Sequence, residues 1–401
     1  MEGLFSMKLR FIVNKSKIIV NGFFLNSMKQ SNLEELIEKH AVTHRCLQHS
    51  GSFIGDAPTG LTSFERYALN LLSIVRPSDL CAFFKIHHLE LETIINKPNY
   101  ITYHLPKKKN GIRAINAPIG RLKNLQKKLN RHLQGVYSSI KPDSAKGFVL
   151  HKKGSNLKAN IVENALPHVG KKYVLNMDIK DFFTSISDQR IYLIFRAKPF
   201  CFDTQIASAL TYLVTTNDCL PQGAPSSPIL SNFACLLLDK KLTAFSNQNN
   251  WNYSRYADDL TFSSNVAFTS VQIDFIKQVL MQEGFEPNEK KFRVRTFNKK
   301  QLVTGLVVNE KVNIDRKMLK KTRAMLYDLR VNGASKAAQN HLKTEYRPSK
   351  DDQLIFLQKL NGTINFIGQI RGKEDAIYVK MKSEFSSYFA IVEDERTWYR
   401  H

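Results

Sequence analysis

The sequence has few cysteines and no long apolar stretch. Its 401 residues include five cysteines, an odd number that forms no C-x-x-C pair. Disulfide-stapled secreted domains and structural zinc modules need closely patterned cysteines, so neither is expected, and the composition suits a reducing cytoplasm. No apolar run approaches the roughly 18 residues of a membrane span, so we expect no membrane partner. The apolar start is interrupted by Asn14, Lys15 and Lys17, which is unlike a secretory signal.

Acidic residues are also scarce relative to basic ones. There are 35 Asp and Glu against 59 Lys and Arg, which gives a formal net charge of +24. With 43% hydrophobic residues, the composition excludes a disordered or fibrous chain. The charge is concentrated, because residues 101–172 contain sixteen Lys and Arg but only two acidic residues. We therefore expect a polyanionic partner, and nucleic acid above all.

Hydrophobic periodicity separates helical regions from strands. Residues 31–97 are largely helical in pattern, and residues 103–118 predict a β-hairpin with a Lys-Lys-Asn-Gly turn, followed by a basic amphipathic helix. Residues 173–178 predict a buried strand that ends in an acid, and residues 251–264 predict a second hairpin.

The pattern continues to the end of the chain. Residues 229–242 predict one helix, whereas residues 290–297 and 302–309 each predict a strand. After Asp315 the chain becomes helical and basic again. The alternation of these elements predicts a mixed α+β protein.

Three carboxylates stand out against this basic background. Asp178 ends the apolar strand, while Asp258 and Asp259 occupy the bend of the second hairpin. An isolated Asp-Asp pair most often marks a turn, but paired carboxylates beside a third repel one another and favour a bound cation. Oxygen ligands of this kind suit Mg²⁺. Two such ions about 4 Å apart could stabilise the attacking and leaving oxygens of a phosphoryl transfer.

Three blocks occur in a fixed order: D-I-K-D-F-F at 178–183, L-P-Q-G-A-P-S-S-P at 220–228, and Y-A-D-D at 256–259. In this order and spacing they resemble the palm of reverse transcriptases, over about residues 100 to 310. A serine hydrolase is not favoured, because the G-x-S-x-G elbow is absent around Ser226.

The resemblance implies a right-hand polymerase with fingers, a palm of antiparallel sheet plus helices, and a helical thumb. Its implied divisions are an N-terminal helical extension at 1–95, fingers at 96–172, a palm at 173–310 with a finger–palm loop at 218–230, and a thumb at 311–401. Residues 1–60 match no motif of the family, and could contact RNA, an effector or another copy of the chain.

Position by position, the resemblance also implies roles for individual residues. Asp178, Asp258 and Asp259 match the catalytic, metal-binding triad, with the carbonyl of Ile179 as a further ligand. Phe183 matches the bulky position beneath the incoming sugar, where an aromatic ring would clash with a 2′-OH. A core phenylalanine is the alternative for that position.

The dNTP site has further implied members. Gln222 and Gly223 match the loop beside the nascent base pair, where glycine permits a close backbone approach. Arg113 matches a fingers residue that clamps the triphosphate, with additional charge from residues 107–109. Lys291 matches a lysine proposed to protonate pyrophosphate, although an ordinary phosphate contact is equally compatible.

Two short strings narrow the family. Asn164 and His168 fit N-A-x-x-H, and Val303, Thr304 and Gly305 form V-T-G. Together they resemble marks of bacterial retron reverse transcriptases, and we expect all five residues to contact RNA. Taken singly, His168 could be a core or capping histidine and Gly305 a bulge glycine.

The resemblance to retron reverse transcriptases implies a specific function. The expected template and primer are one cognate structured noncoding RNA, extended with dNTPs from the 2′-OH of a guanosine to give branched msDNA. Mg²⁺ is the implied cofactor, and an effector protein is a further implied partner in anti-phage defence. The alternatives are a group II intron or diversity-generating reverse transcriptase, or an RNA-binding antitoxin scaffold in which catalysis is dispensable.

Overall fold

The computed structural model describes residues 61–106, 111–150, 160–343 and 346–398 of the chain, with side chains as far as 388. Predictions for residues 1–60 and for Lys107–Lys109 lie outside this part. The chain divides into two compact units. Among the described residues, the first unit comprises 61–106, 111–150, 176–262 and 268–293, and the second comprises 160–175, 263–267, 294–343 and 346–398.

The helices and strands follow the predicted alternation. The α-helices are α1 Ser63–Leu72, α2 Pro77–Phe84, α3 His88–Asn96, α4 Gly120–Ile140, α5 Ile161–Ala165, α6 Asp188–Arg196, α7 Thr204–Val214, α8 Ser227–Ala234, α9 Leu236–Gln248, α10 Ser270–Gln282, α11 Arg316–Leu342, α12 Lys350–Arg371 and α13 Ala376–Trp398. Short 3₁₀ turns lie at Leu166–His168 and Glu289–Lys291. The strands are β1 Tyr100–Pro106, β2 Ile112–Pro118, β3 Tyr173–Asp178, β4 Asn252–Tyr256, β5 Asp259–Ser264, β6 Arg293–Thr296, β7 Leu302–Val303 and β8 Leu306–Val307. The predicted α+β class is confirmed.

The sheet that carries the acidic residues has the strand order β4-β5-β3-β6. Strand β3 is an inner strand of this sheet, and its apolar residues Val174, Leu175 and Met177 are buried. An inner strand has both edges paired, which makes its end a rigid support. Asp178 is the last residue of β3, so its carboxylate lies at the end of a firmly held inner strand.

The first hairpin pairs β1 with β2 antiparallel, from Tyr100 opposite Pro118 to Pro106 opposite Ile112. This pairing confirms the predicted hairpin. Leu105 faces Arg113 across the pair, and Ile115 on the same strand as Arg113 is buried. The register therefore places Arg113 on the face that packs inward at Ile115, because residues two apart in a strand share a face.

Helix α1 packs closely against α4 within the first unit. Its start is fixed by a capping box, in which the Thr62 hydroxyl accepts from the Glu65 amide and the Glu65 carboxylate accepts from the Thr62 amide. Gly135 of α4 lies against the α1 backbone, since a Cβ built there would lie 2.6 Å from the Phe64 carbonyl oxygen and 2.8 Å from the Ala68 nitrogen. The close approach requires glycine.

The second unit has its own apolar core. Buried side chains of α11, α12 and α13, such as Leu329, Phe356 and Phe385, form a cluster with Val303 and Leu306 of the small β7–β8 pair. Helix α11 begins at its Asp315 cap and is broken at Gly333, where φ is +72°. In the described part of the chain, no helix combines the length and the apolar content needed to cross a bilayer.

Two predicted elements are wrong in detail. The helix predicted over 229–242 is two helices, because Cys235 leaves helical geometry and Arg190 Nη2 donates to the freed Ala234 carbonyl oxygen at 2.6 Å. The strand predicted over 302–309 is the β7–β8 hairpin, because Thr304 and Gly305 both have positive φ and reverse the chain.

The Gly135 contact gives a stability prediction. We expect Gly135→Ala to lower the unfolding free energy by about 1–3 kcal/mol, because the new methyl group meets backbone atoms that cannot move aside. The matched control is Gly362→Ala in α12, where a Cβ meets nothing within 4 Å. That change should stabilise by about 1 kcal/mol through helix propensity. Urea unfolding of both variants checks the pair, and equal effects would contradict the packing argument.

Candidate catalytic site

The three acidic residues come together in the first unit. The backbone N–H of Ile179, directly after β3, donates to the carbonyl oxygen of Asp258 at 3.0 Å. The Asp259 side chain interacts with that of Asp178, and this interaction helps to raise the pKa of Asp259. Asp178 is 5% exposed, whereas Asp259 keeps an accessible edge. The structure thus brings together carboxylates that are 80 residues apart in the sequence.

The bend between β4 and β5 determines where Asp258 and Asp259 lie. Two residues, Ala257 and Asp258, connect the strands, and Ala257 has φ of +58°. Two-residue hairpin loops with a positive φ at their first position usually carry glycine there. Alanine holds this conformation at an energetic cost, so surrounding contacts must maintain the bend.

The crowding of the carboxylates changes their acidity. Burial and the charge of Asp178 raise the pKa of Asp258 above its usual range. Burial and the charges of Asp258 and Asp178 raise the pKa of Asp259 to about 7. Each negative charge makes the next one harder to form, and a cation would relieve that repulsion.

Two further groups contact Asp178. Lys291 Nζ forms an ion pair with Asp178 Oδ2 at 2.8 Å, and Asn288 Nδ2 donates to the same oxygen at 3.3 Å. The Asn288 backbone N–H also donates to the Asp178 carbonyl oxygen at 2.8 Å. Partial burial opposes the charge of Lys291, but its hydrogen bond to Asp178 and the three carboxylates raise its pKa. Lys291 is therefore a cation at neutral pH.

The donor set fits a hard divalent cation in an open site. Among the residues that the structure describes, no three His, Cys, Asp or Glu side chains form a ready-made metal cage, and Lys291 occupies one oxygen of Asp178. Mg²⁺ typically takes one or two protein carboxylates and completes its shell with substrate phosphates and water. Asp178, Asp258 and Asp259 supply the right oxygens, and the Ile179 carbonyl remains the predicted backbone ligand.

Arg113 and the loop at 218–230 lie on the same side of the first unit. The Asn116 backbone N–H donates to the Gln222 carbonyl oxygen at 2.8 Å. Gly223 has φ of +122°, and a Cβ there would lie 2.6 Å from Ile115 Cγ2. The loop is thus docked on β2, whose exposed Arg113 acts electrostatically on Asp258 and lowers its pKa against the stronger effect of burial.

Phe183, five residues after Asp178 in the sequence, lies in an aromatic group. Its half-buried ring is 5.4 Å from that of Phe182 and 6.0 Å from that of Phe148. Phe148 was not predicted as a site residue. Phe148 lies in none of the motifs, and its φ is positive, at 60°. Its proximity to Phe183 is therefore evident only in the folded chain.

The two short motifs meet in the second unit. Asn164, His168 and Val303 are each fully buried, so their side chains do not face solvent in this conformation, and the RNA contact expected of them stays a prediction. His168 Nδ1 is 2.7 Å from Ser263 Oγ, and burial with the charge of Lys171 lowers its pKa to about 3. His168 is therefore a neutral core residue at physiological pH.

Thr304 and Gly305 form the β7–β8 turn. Thr304 Oγ1 donates to the Ile161 carbonyl oxygen at 3.4 Å, which ties the V-T-G turn to the helix that starts the N-A-x-x-H motif. Gly305 has φ of +85° with open space around its Cα. It is a turn glycine rather than a bulge glycine, and it is exposed.

More than half of this chain is similar in sequence to known proteins. A family model described as reverse transcriptase (RNA-dependent DNA polymerase) matches residues 105–339, more than half of the chain. The Retron Ec86 reverse transcriptase of Escherichia coli is 35% identical over 57% of this chain and 70% of its own length. The chain belongs to the bacterial retron-type reverse transcriptases. This membership favours the retron type over the group II intron and diversity-generating alternatives.

Other relatives agree. The Retron Ec73 reverse transcriptase of Escherichia coli is 32% identical over 65% of this chain and 85% of its own length. The Retron Mx65 reverse transcriptase of Myxococcus xanthus is 32% identical over 66% of this chain, but the match spans 62% of that relative. A telomerase structure from Candida albicans aligns over 74% of this chain with 11% identity and a TM-score of 0.38, too low to support a shared architecture.

The raised pKa of Asp259 gives a prediction about the metal-free protein. The carboxyl keeps its proton up to about pH 7 when folded but ionises near pH 4 when unfolded. Stability therefore falls as pH rises between these values. We expect Asp259→Asn to raise the melting temperature in EDTA at pH 8 and to have little effect at pH 4. Thermal scans at both pH values check this, and a pH-independent effect would contradict the crowding.

Proposed function

We propose that this chain is a retron RNA-directed DNA polymerase that copies a cognate structured noncoding RNA into msDNA with dNTPs, primed from the 2′-OH of a guanosine. The proposal rests on the observation that Asp178, Asp258 and Asp259 lie together at one end of β3. The positively charged side chains of Lys291 and Arg113 act on these carboxylates. Membership of the family supplies the reaction class. The +24 charge supplies the attraction for RNA phosphates.

Each group near the carboxylates has a proposed part in that reaction. Arg113 binds the triphosphate of the incoming nucleotide, because a guanidinium pairs bidentately with phosphate oxygens. Lys291, which pairs with Asp178 in this structure, would contact or protonate the pyrophosphate with its ammonium group. Gln222 and Gly223 form the surface against which the new base pair lies.

The proposed cofactor is Mg²⁺, and members of this family generally depend on a divalent metal. Asp178, Asp258 and Asp259 would hold it, with the Ile179 carbonyl as a further ligand. When bound, it would supply Lewis-acid stabilisation of the phosphate oxygens. The protein contributes a fixed set of oxygens, whose mutual repulsion gives the cation its affinity.

The proposed architecture follows the polymerase hand, with fingers at 96–172, palm at 173–310 and thumb at 311–401. Thr304 and Gly305 remain the proposed RNA contacts of the V-T-G motif, because the β7–β8 turn presents Gly305 to solvent. Participation in anti-phage defence with an effector protein is proposed on family membership alone. Sequencing the nucleic acid that copurifies with the protein tests the template, and a branched RNA–DNA species is expected.

The catalytic proposal has a direct test. Asp258→Asn removes one metal-binding charge while keeping the shape of the side chain, so we expect DNA synthesis to fall by at least about 10³-fold. RNA binding measured by filter retention should stay near the wild-type value. Asp274→Asn, on exposed helix α10, is the matched control and should remain active. Full synthesis by the Asp258 variant would refute the assignment, and phage defence that survives in it would favour the scaffold alternative.

Sugar discrimination tests Phe183. Removal of its ring should leave room for a ribose 2′-OH, so we expect Phe183→Ala to raise ribonucleotide incorporation relative to deoxynucleotides by about tenfold or more. Phe275→Ala, an exposed aromatic on α10, is the control. The measurement is the ratio of kcat/KM for dGTP and GTP. An unchanged ratio would assign Phe183 to packing alone.

A further inference from the structure

A buried ion pair lies directly behind the bend that carries Asp258 and Asp259. Arg255 on β4 is fully buried, and its Nε and Nη2 donate to Asp239 Oδ1 and Oδ2 at 2.8 and 2.6 Å. Asp239 on α9 is also fully buried. An interior pair of charges is expensive to desolvate and is often no better for stability than an apolar pair. Its presence therefore calls for another reason.

The remaining guanidinium nitrogen shows what the pair does. Arg255 Nη1 donates to the Ala257 carbonyl oxygen at 3.0 Å and to Asn232 Oδ1 at 3.2 Å. Ala257 is the residue with φ of +58° at the first position of the bend, and its carbonyl belongs to the peptide that leads into Asp258. The hydrogen bond thus holds the peptide unit between the strained residue and the first paired carboxylate.

The same network also closes the opposite side of the bend. A Cβ at Gly147 would lie 2.6 Å from the Ala257 nitrogen, and Asn232 Nδ2 donates to the Gly147 carbonyl oxygen at 2.9 Å. Asn232 therefore links Gly147 to the guanidinium that holds Ala257. The bend is confined between a glycine backbone and a planar, five-donor group that is fixed by a bidentate carboxylate.

We propose that Arg255, oriented by Asp239, is a positioning residue that sets the Ala257–Asp258 bend and thereby the distance of Asp258 and Asp259 from Asp178. This inference rests on the proposed function of the triad. Arg255 touches neither substrate nor reacting atoms, and it acts through the Ala257 carbonyl. A lysine could keep the charge but could not serve Asp239 twice and Ala257 at once, because its three donors lie on one nitrogen.

The experiment compares three variants with the wild type. Arg255→Lys keeps the charge and loses the fork. The double variant Arg255→Met with Asp239→Leu replaces the pair by apolar side chains of similar volume, which commonly leaves a fold intact. Tyr253→Phe is the matched control, because Tyr253 donates to Asp239 Oδ1 at 2.8 Å and reaches the same carboxylate without touching the bend.

The readouts separate positioning from stability. They are kcat and KM in primer extension below the melting temperature, Mn²⁺ binding to the nucleic-acid-free protein by electron paramagnetic resonance, and hydrogen exchange over residues 256–259. We expect both Arg255 variants to lose about tenfold or more in kcat, as small misplacements do. Their Mn²⁺ affinity should fall about fivefold or more on the same basis. Exchange in the bend should accelerate, whereas Tyr253→Phe should match the wild type in all three.

Two results would overturn the proposal. The first is an Arg255→Lys or double variant whose kcat, Mn²⁺ affinity and exchange equal those of Tyr253→Phe. The second is a Tyr253→Phe variant that loses as much as the Arg255 variants, since the effect would then be general destabilisation. If the wild type makes no DNA, the proposed function fails, while Mn²⁺ binding and hydrogen exchange still decide whether Arg255 positions the bend.

Discussion

Mutual repulsion among three carboxylates is the constraint on which this protein depends. Asp178, Asp258 and Asp259 lie close enough that one of them holds a proton near neutral pH, although the protein around them is strongly basic. The crowding destabilises the metal-free fold and at the same time creates affinity for a cation. The proposed function and the stability of the metal-free fold therefore place opposite demands on these three residues.

The first unit is organised to withstand that repulsion. Asp178 stands at the end of an inner strand, so its main chain cannot move away. Lys291 and Asn288 neutralise or solvate its carboxylate, and Arg113 faces the site from the docked β1–β2 hairpin. Arg255 holds the bend from behind through the Ala257 carbonyl. These supports come from three parts of the unit: the turn at residues 288–291, the β1–β2 hairpin and strand β4.

The second unit holds three of the five predicted RNA-contact side chains in its interior. Asn164, His168 and Val303 carry the resemblance to retron enzymes, yet their side chains are buried. Val303 belongs to the core cluster of α11–α13, and Thr304 Oγ1 donates to the Ile161 carbonyl oxygen of the helix that carries Asn164. Gly305 of the β7–β8 turn is exposed.

The amino-acid sequence by itself determined the fold class, most element positions and which three carboxylates would come together, because these depend on local periodicity and on motif order. It could not reveal that 229–242 is two helices, since a hydrogen bond from the distant Arg190 accompanies that break. It also could not reveal that 302–309 is a hairpin, since the positive φ values of Thr304 and Gly305 reverse the chain there. The sequence marks Arg255 only as a strand residue, and its pairing with Asp239 of α9 is evident only in the structure. The contact between Phe148 and Phe183 is likewise not indicated by any sequence pattern. Tertiary structure alone decides such pairings, because burial and charge act between side chains that are close in space although they are far apart in the sequence.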